Sequence, residues 1–289
     1  MSFSSEEEKC IHLILIVCNS VSLFGSMSII VLFSIYKNLR SYAFKLVFYM
    51  SISDAIRAIG FILPLHPKSF CIAQSILTNF GSTSGLIWTS IIALCLYCVV
   101  IKKITNIPKY HKHMLLIGYI LPLILTFLPE TTDSYGEQFG WCWIKQGSFG
   151  ILWRICGFYS IMVLVLIINI FCYYKVIREI SNDLVLLAKG PHELSEKHKL
   201  FNRFKLYPMI IIICYLPLFI KRLYEILDNN TVFWLTIVSA ILTSIIGLLN
   251  AIVYGFTDNV KETVLDTFRK SSVARSVSIN DFDVVFTEN

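Results

Sequence analysis

The chain has 289 residues, of which 56% are hydrophobic and 15% charged, with a net charge of +6. A soluble domain carries about 25% charged residues. The charges here cluster between long apolar runs, which excludes an ordinary water-soluble fold and predicts one helical bundle in lipid, with its backbone polar groups satisfied inside each span.

A spanning helix needs about 20 apolar residues. Seven candidates follow in chain order: Ile11–Tyr36, Phe44–Leu65, Cys71–Ile101, Met114–Leu128, Phe149–Ile177, Leu206–Leu227 and Val232–Phe256. The expected fold is an all-α membrane protein, a seven-transmembrane helix bundle spanning 11–256. Residues 1–10 are expected as a short extracellular tail. The first run is too long, and lacks the basic start and small-residue cleavage site, for a signal peptide. Residues 257–270 read as an amphipathic interfacial helix, because Val260, Val264, Leu265 and Phe268 share a face beside Lys261, Arg269 and Lys270. Residues 271–289 read as a disordered cytoplasmic tail.

Lys and Arg in the loops set the orientation. Eighteen lie on one side of the seven spans and five on the other, with Arg57 and Arg154 inside spans. That bias predicts an outer N-terminus, a cytoplasmic C-terminus and an integral multi-pass protein of the plasma membrane. The charge is spent on the lipid bilayer and its topology, so no nucleic acid partner is expected. The loop from Glu179 to Arg203 holds Gly190-Pro191 and alternating charges, and reads as solvated.

Six of the nine cysteines, Cys18, Cys95, Cys98, Cys156, Cys172 and Cys214, fall in apolar runs and read as small core residues. Cys71 and Cys142 both lie on the outer side, where an oxidising compartment permits a disulfide that would hold the fourth-to-fifth loop over the bundle mouth. Two free thiols are the competing reading.

Intramembrane charges are costly and usually functional. Asp54 and Arg57 share a face of the second span. They form either a neutralised structural pair or, with Asn250 of the seventh span, a polar hinge. Pro217 is placed to let the inner half of the sixth span swing, against a static bend. Asn250 and Tyr254 share a face, for switching or simple interhelical hydrogen bonding. The conformational-switch set is therefore Asp54, Pro217, Asn250 and Tyr254.

Arg154 and Arg222, near the outer ends of spans five and six, each offer a bidentate fork for a phosphate or carboxylate. With Lys145, Thr78 and Ser82 they are the expected ligand-binding residues. Snorkelling to lipid headgroups, or pairing with Glu225, Asp228 or Glu130, is the plainer alternative. An outer tail this short leaves no binding domain, so a small-molecule ligand must enter the bundle. Asn229-Asn230-Thr231 is a sequon crowded against the seventh span, and Ser271, Ser272, Ser276 and Ser278 are basic-flanked modification candidates.

The chain carries Ser53-Asp54, Gly81-Ser82, Trp88-Thr89, Ala93 and Tyr97, then Trp141-Cys142-Trp143-Ile144, Trp153-Arg154 and Phe158-Tyr159. Phe204-Lys205-Leu206-Tyr207-Pro208, Cys214-Tyr215-Leu216-Pro217, Arg222 and Gly247-Leu248-Leu249-Asn250-Ala251-Ile252-Val253-Tyr254-Gly255 follow. In this order the fragments resemble the cyclic AMP receptor-like family of G-protein-coupled receptors, over about residues 10–270. The resemblance implies seven helices, a Cys71–Cys142 disulfide and coupling to a heterotrimeric G protein. Slime-mould members of that family sense extracellular cyclic AMP. A small extracellular ligand is expected, and the resemblance makes an anionic, cyclic-nucleotide-like one a candidate. Tyr97, Lys102, Lys103, Arg203 and Lys205 are expected to face the G protein, their other role being plain positive-inside charge.

A transporter or channel is the alternative, but it needs a polar path that the first, sixth and seventh runs do not offer. A membrane enzyme is not expected: His-Glu-x-x-His is absent, and the six histidines sit in loops or near span ends. No metal, cofactor or catalytic residue is expected. A retinal Schiff base of the usual kind would need a lysine that Val232–Phe256 lacks.

Overall fold

The computed structural model describes residues 3–104, 106–186, 210, 212–225, 231–255, 260–263 and 265. The side chains of 183–186, 254 and 255 lie outside that description, and so do Arg203, Lys205, the Asn229 sequon, the tail serines and most of 257–270.

Among the described residues, five helices are long and apolar enough to cross a membrane: α1 (Ser5–Ile35), α3 (Lys68–Val100), α4 (Ile107–Thr132), α5 (Ser148–Asn182) and α7 (Phe233–Val253). Two further helical segments join them, α2 (Tyr42–Ile62) and α6 (residues 212–225). α2 carries Lys45, Asp54 and Arg57, which lower its hydropathy, yet it packs most extensively of all against α3 and also against α1.

α1 begins at Ser5 rather than Ile11, because Ser4 and Glu7 form a reciprocal cap. The Ser4 amide donates to Glu7 Oε2 at 2.8 Å, and the Glu7 amide donates to Ser4 Oγ at 3.3 Å. This arrangement satisfies two otherwise orphaned donors. Ile11, Leu15, Asn19, Ser22, Ser26 and Ile29 form its buried stripe, while Leu13, Val17, Phe24 and Val31 are exposed. Small residues bring α7 close: a Cβ on Gly25 would lie 2.8 Å from Leu248 Cα, and the Gly247 amide donates to Ser22 Oγ at 3.1 Å. Close backbone approach of this kind is a packing mode of helices in lipid.

α4 is longer than its apolar core because several helical geometries join in series, with a π turn at Leu116–Ile120. Pro122 follows and has no amide hydrogen to give to the Gly118 carbonyl. Ser84 Oγ of α3 takes that acceptor at 2.6 Å. Trp88 lies against Gly118, where any Cβ would fall 2.6 Å from the indole. Its other face, including Leu116, Ile120, Ile124 and Phe127, is exposed, as lipid-facing side chains must be.

Between α4 and α5 the chain forms an antiparallel hairpin of β1 (Tyr135–Gln138) and β2 (Trp141–Ile144), with Glu137 opposite Cys142 and Gln138 opposite Trp141. Paired strands in this loop are not among the elements expected from the hydropathy pattern. Its two-residue turn has Phe139 at φ 56° and Gly140 at φ 83°, the left-handed pair that matches strand twist. A short helical stretch, residues 260–263, follows α7; Val260 is buried and Leu265 is exposed.

Candidate functional site

The hairpin is the roof of a crevice between the helices. Cys71 of α3 and Cys142 of β2 form a disulfide. The Cys142 amide also donates to Gln74 Oε1 at 2.5 Å, and Gln74 Nε2 donates to the Leu63 carbonyl at 2.9 Å. One turn further along α3, Asn79 Oδ1 accepts from Trp143 Nε1 at 3.2 Å, and Asn79 Nδ2 donates to Tyr135 Oη at 3.1 Å. Tyr135 Oη donates in turn to the Thr126 carbonyl at 2.7 Å. Burial pushes the Tyr135 phenol above the usual tyrosine range, against the pull of the Asn79 amide, so it remains a donor.

The tip of the hairpin rests on the start of α1. A Cβ on Gly140 would lie 2.5 Å from the Glu8 carbonyl oxygen, so only glycine permits this approach. Phe3 packs against Phe139 at 5.2 Å and Phe233 at 5.7 Å between ring centroids.

Strand alternation sorts the Trp-Cys-Trp run. Cys142 points to α3, while Trp141 and Trp143 face the crevice. The crevice encloses about 700 Å³, part of it open to solvent. Six of the seven helices contribute to its wall, the exception being α4. Thr78, Ser82 and Arg222 line it, together with Arg57, Tyr159 and Lys221. The aromatic signal that could have found the roof is the period-two spacing of Trp141 and Trp143.

Lys145 stands apart from the crevice. It lies just past β2, with its stem over Gly136 and its ammonium 3.6 Å from Asp133 at the surface. Arg154 does not line the crevice either. It is buried behind Trp143, donates from Nε to the Ile144 carbonyl at 2.9 Å, and donates from Nη2 to Ile144 and Gln138 Oε1. It therefore clamps both strands of the hairpin to α5. A π turn at Arg154–Tyr159 re-aims this part of α5, a distortion often found at functional positions.

The cations are stacked on the roof. The Arg154 and Arg222 guanidinium carbons lie 5.4 Å and 5.3 Å from the Trp143 ring centroid, and Lys221 Nζ lies 5.0 Å from that of Trp141. Arg222 also pairs with Glu225, and Lys221 lies 3.6 Å from the same carboxylate. Among the described residues, three buried donors that line the crevice have no partner: Arg57 Nε, Tyr159 Oη and Arg222 Nε.

Beneath the crevice, Asn250 Nδ2 donates to Asp54 Oδ2 at 2.9 Å. Arg57 points elsewhere, donating to the Thr243 and Ser244 carbonyls of α7 rather than forming an ion pair with Asp54. At the far end of α3, Tyr97 packs on Phe171 at 5.8 Å, and Lys102 and Lys103 are exposed. Pro217 lies within α6. Among the described residues, no group of three or more His, Cys, Asp or Glu side chains could hold a metal ion.

Lipid-facing helices, a disulfide-tethered roof and a polar crevice below it define a helical membrane receptor. The chain belongs to the slime mold cyclic AMP receptor family, whose sequence profile matches residues 2–267. It is 28% identical over 254 residues to G-protein coupled receptor 1 of Arabidopsis thaliana, covering 85% of this chain and 78% of that one. It is 25% identical over 271 residues to Cyclic AMP receptor-like protein A of Dictyostelium discoideum, covering 93% and 70%. G-protein coupled receptor 157 of Homo sapiens is 23% identical over 197 residues, covering 63% and 58%.

Proposed function

We propose that the chain is a G-protein-coupled receptor of the plasma membrane that detects a small extracellular anion in the crevice below the hairpin. Seven helices cross the bilayer, the N-terminus is outside and the C-terminus is cytoplasmic. The excess of Lys and Arg on one side supports this orientation, and so does a disulfide on the other, since disulfides persist in oxidising compartments.

The observation that carries the ligand reading is the trio of donors without a partner among the described residues, Arg57 Nε, Tyr159 Oη and Arg222 Nε, which line the crevice from α2, α5 and α6. An orphaned buried donor costs about 1–3 kcal/mol. An occupant rich in acceptor oxygens would recover that cost. Thr78 and Ser82 add polar groups, and Trp141 and Trp143 supply flat apolar surface. Arg154 acts indirectly, by fixing the roof, and Lys145 supports the hairpin from the surface.

Binding would bias two arrangements of the helices. The Asp54–Asn250 link joins α2 to α7 below the ligand, and Pro217 lies in α6 close to the cationic wall. Tyr97, Lys102 and Lys103 are the candidate contacts for a heterotrimeric G protein, with Arg203 and Lys205 beyond the described residues. A screen of small anions, cyclic nucleotides included, scored by guanine nucleotide exchange on a co-expressed G protein, tests the reading. An activating anion should lose its effect in Arg222→Ala and be weakened in Arg154→Ala. Equal activation of wild type and both variants would refute the anion site.

A further inference from the structure

The wall of the crevice reaches a break in α7. The helical ladder runs normally on either side of it: the Ile245 amide donates to the Ile241 carbonyl at 3.1 Å, and the Leu249 amide donates to the Ile245 carbonyl at 3.0 Å. Ile245 itself has φ -79° and ψ 1°, well away from a helical ψ of about -42°. Between those rungs the Gly247 amide leaves the ladder and donates to Ser22 Oγ of α1 at 3.1 Å. The Thr243 carbonyl, four residues back, is the ordinary acceptor for that amide. It accepts instead from Arg57 Nη1 of α2, and Arg57 Nη2 donates to the Ser244 carbonyl at 3.4 Å. Asn19 of α1 holds the same turn by donating to Ser244 Oγ at 2.9 Å.

An amide and a carbonyl that belong together in a helix are thus parted, with Ser22 taking one and Arg57 the other. α7 has two arrangements available. In one it is broken, with both side chains engaged; in the other it is continuous, with the Gly247 amide returned to the Thr243 carbonyl. An element with two discrete hydrogen-bonded states is what carries coupling between sites. Arg57 joins this element to the crevice. Arg57 and Thr243 both line the crevice, and Arg57 Nε has no partner among the described residues. The guanidinium is planar and rigid, so a pull at Nε moves Nη1 and Nη2 with it.

We infer that Arg57 is the residue that couples the crevice to α7: an acceptor-rich occupant draws the guanidinium off the Thr243 and Ser244 carbonyls, and the ladder closes across Ile245. The inference rests on the anion reading of the crevice and deepens it, by naming how occupancy is passed on. Ser22 holds the break from α1 and does not line the crevice, so it sets the same equilibrium without touching the occupant.

The test uses the full chain in lipid discs, with backbone hydrogen exchange over residues 243–250 as the readout. Arg57→Met and Ser22→Ala should each slow exchange there by about threefold to tenfold, the shift of a two-state element by one hydrogen bond. A purely structural role predicts the opposite sign, because lost packing speeds exchange. Arg57→Lys keeps a cationic donor for the Thr243 carbonyl and should restore the wild-type pattern. Phenyl phosphate, at a concentration that saturates its quenching of tryptophan fluorescence, should slow the same amides in wild type. Unchanged or faster exchange in Ser22→Ala and Arg57→Met, or quenching without slowing in wild type, would overturn the coupling and leave the anion site standing. Absence of quenching would overturn the anion reading and the occupant's part in the coupling, while slowed exchange in the two variants would still assign the break to Arg57 and Ser22.

Discussion

The Asn250 side chain donates a 2.9 Å hydrogen bond to Asp54 across the interface of α7 and α2. Both residues are at most 4% exposed, so neither has water as an alternative partner. Asn250→Ala should therefore cost about 1–3 kcal/mol, the usual penalty for an orphaned buried acceptor. Asp54→Asn keeps a hydrogen-bonding side chain and should cost less. Thermal inactivation of the purified chain measures the order, and basal nucleotide exchange in the same variants reads whether the link also holds the resting arrangement.

Cys71→Ser should loosen the roof without unfolding the helices. The bridge joins residues 71 apart in sequence, and closing a loop of that length is worth about 4 kcal/mol in the chain-entropy account. The hairpin retains its bonds to Gln74 and Asn79. Limited proteolysis from the outer side should nick the segment between α4 and α5 faster in this variant than in wild type, with the helical circular dichroism preserved. Unchanged nicking would show that Gln74, Asn79 and Arg154 hold the hairpin unaided.

Gly81→Ala is expected to disrupt the packing of α2 on α3. Its Cβ would lie 2.6 Å from the Arg57 backbone nitrogen and 2.7 Å from the Ser53 carbonyl oxygen, neither of which can turn aside. Overpacking of this kind costs about 1–3 kcal/mol. Gly157→Ala is the control, since nothing lies within 4 Å of a Cβ built there. The paired thermal inactivation midpoints should separate the two clearly.

Trp143→Ala removes the ring on which both Arg154 and Arg222 rest. Each such contact is worth about 0.5–2 kcal/mol, so affinity for an activating anion should fall by about tenfold. Trp143→Phe keeps an aromatic face but loses the bond to Asn79, and should fall between the two. Titration by nucleotide exchange gives the three values.

Much of the architecture was legible because its signals are local or one-sided. Apolar runs located the helices, and the outer placement of Cys71 and Cys142 favoured their bridge. Asp54 and Asn250 stood out as polar residues in apolar runs, and they meet. Arg222 lines the crevice for the same reason. Tertiary packing set the remaining contacts. Arg57 reaches carbonyls of α7 that lie 186 and 187 residues away, and no local pattern announces that choice. Arg154 looked like a ligand residue from its position near a helix end, but the hairpin carbonyl of Ile144 took its donors. Tyr135–Gln138 has no apolar alternation, and Trp141 and Trp143 flank an equally apolar Cys142, so their period-two spacing is a weak sign of one face of a sheet. α1 extends beyond its apolar run because a cap, rather than hydropathy, decides where it begins.

The most direct measurement is the charge selectivity of a single engineered thiol in the crevice. Ser82→Cys places one beside the cationic wall, and the parent chain, with its exposed Cys10 and Cys156, supplies the background. Paired anionic and cationic methanethiosulfonate reagents, neither able to cross the membrane, are applied to the outside of intact cells. The expected result is modification from outside, with the anionic reagent about tenfold faster than the cationic one and the difference much reduced by Arg222→Gln. Labelling only after permeabilisation, or a cationic reagent that reacts as fast as the anionic one, would contradict an outward-facing anion site.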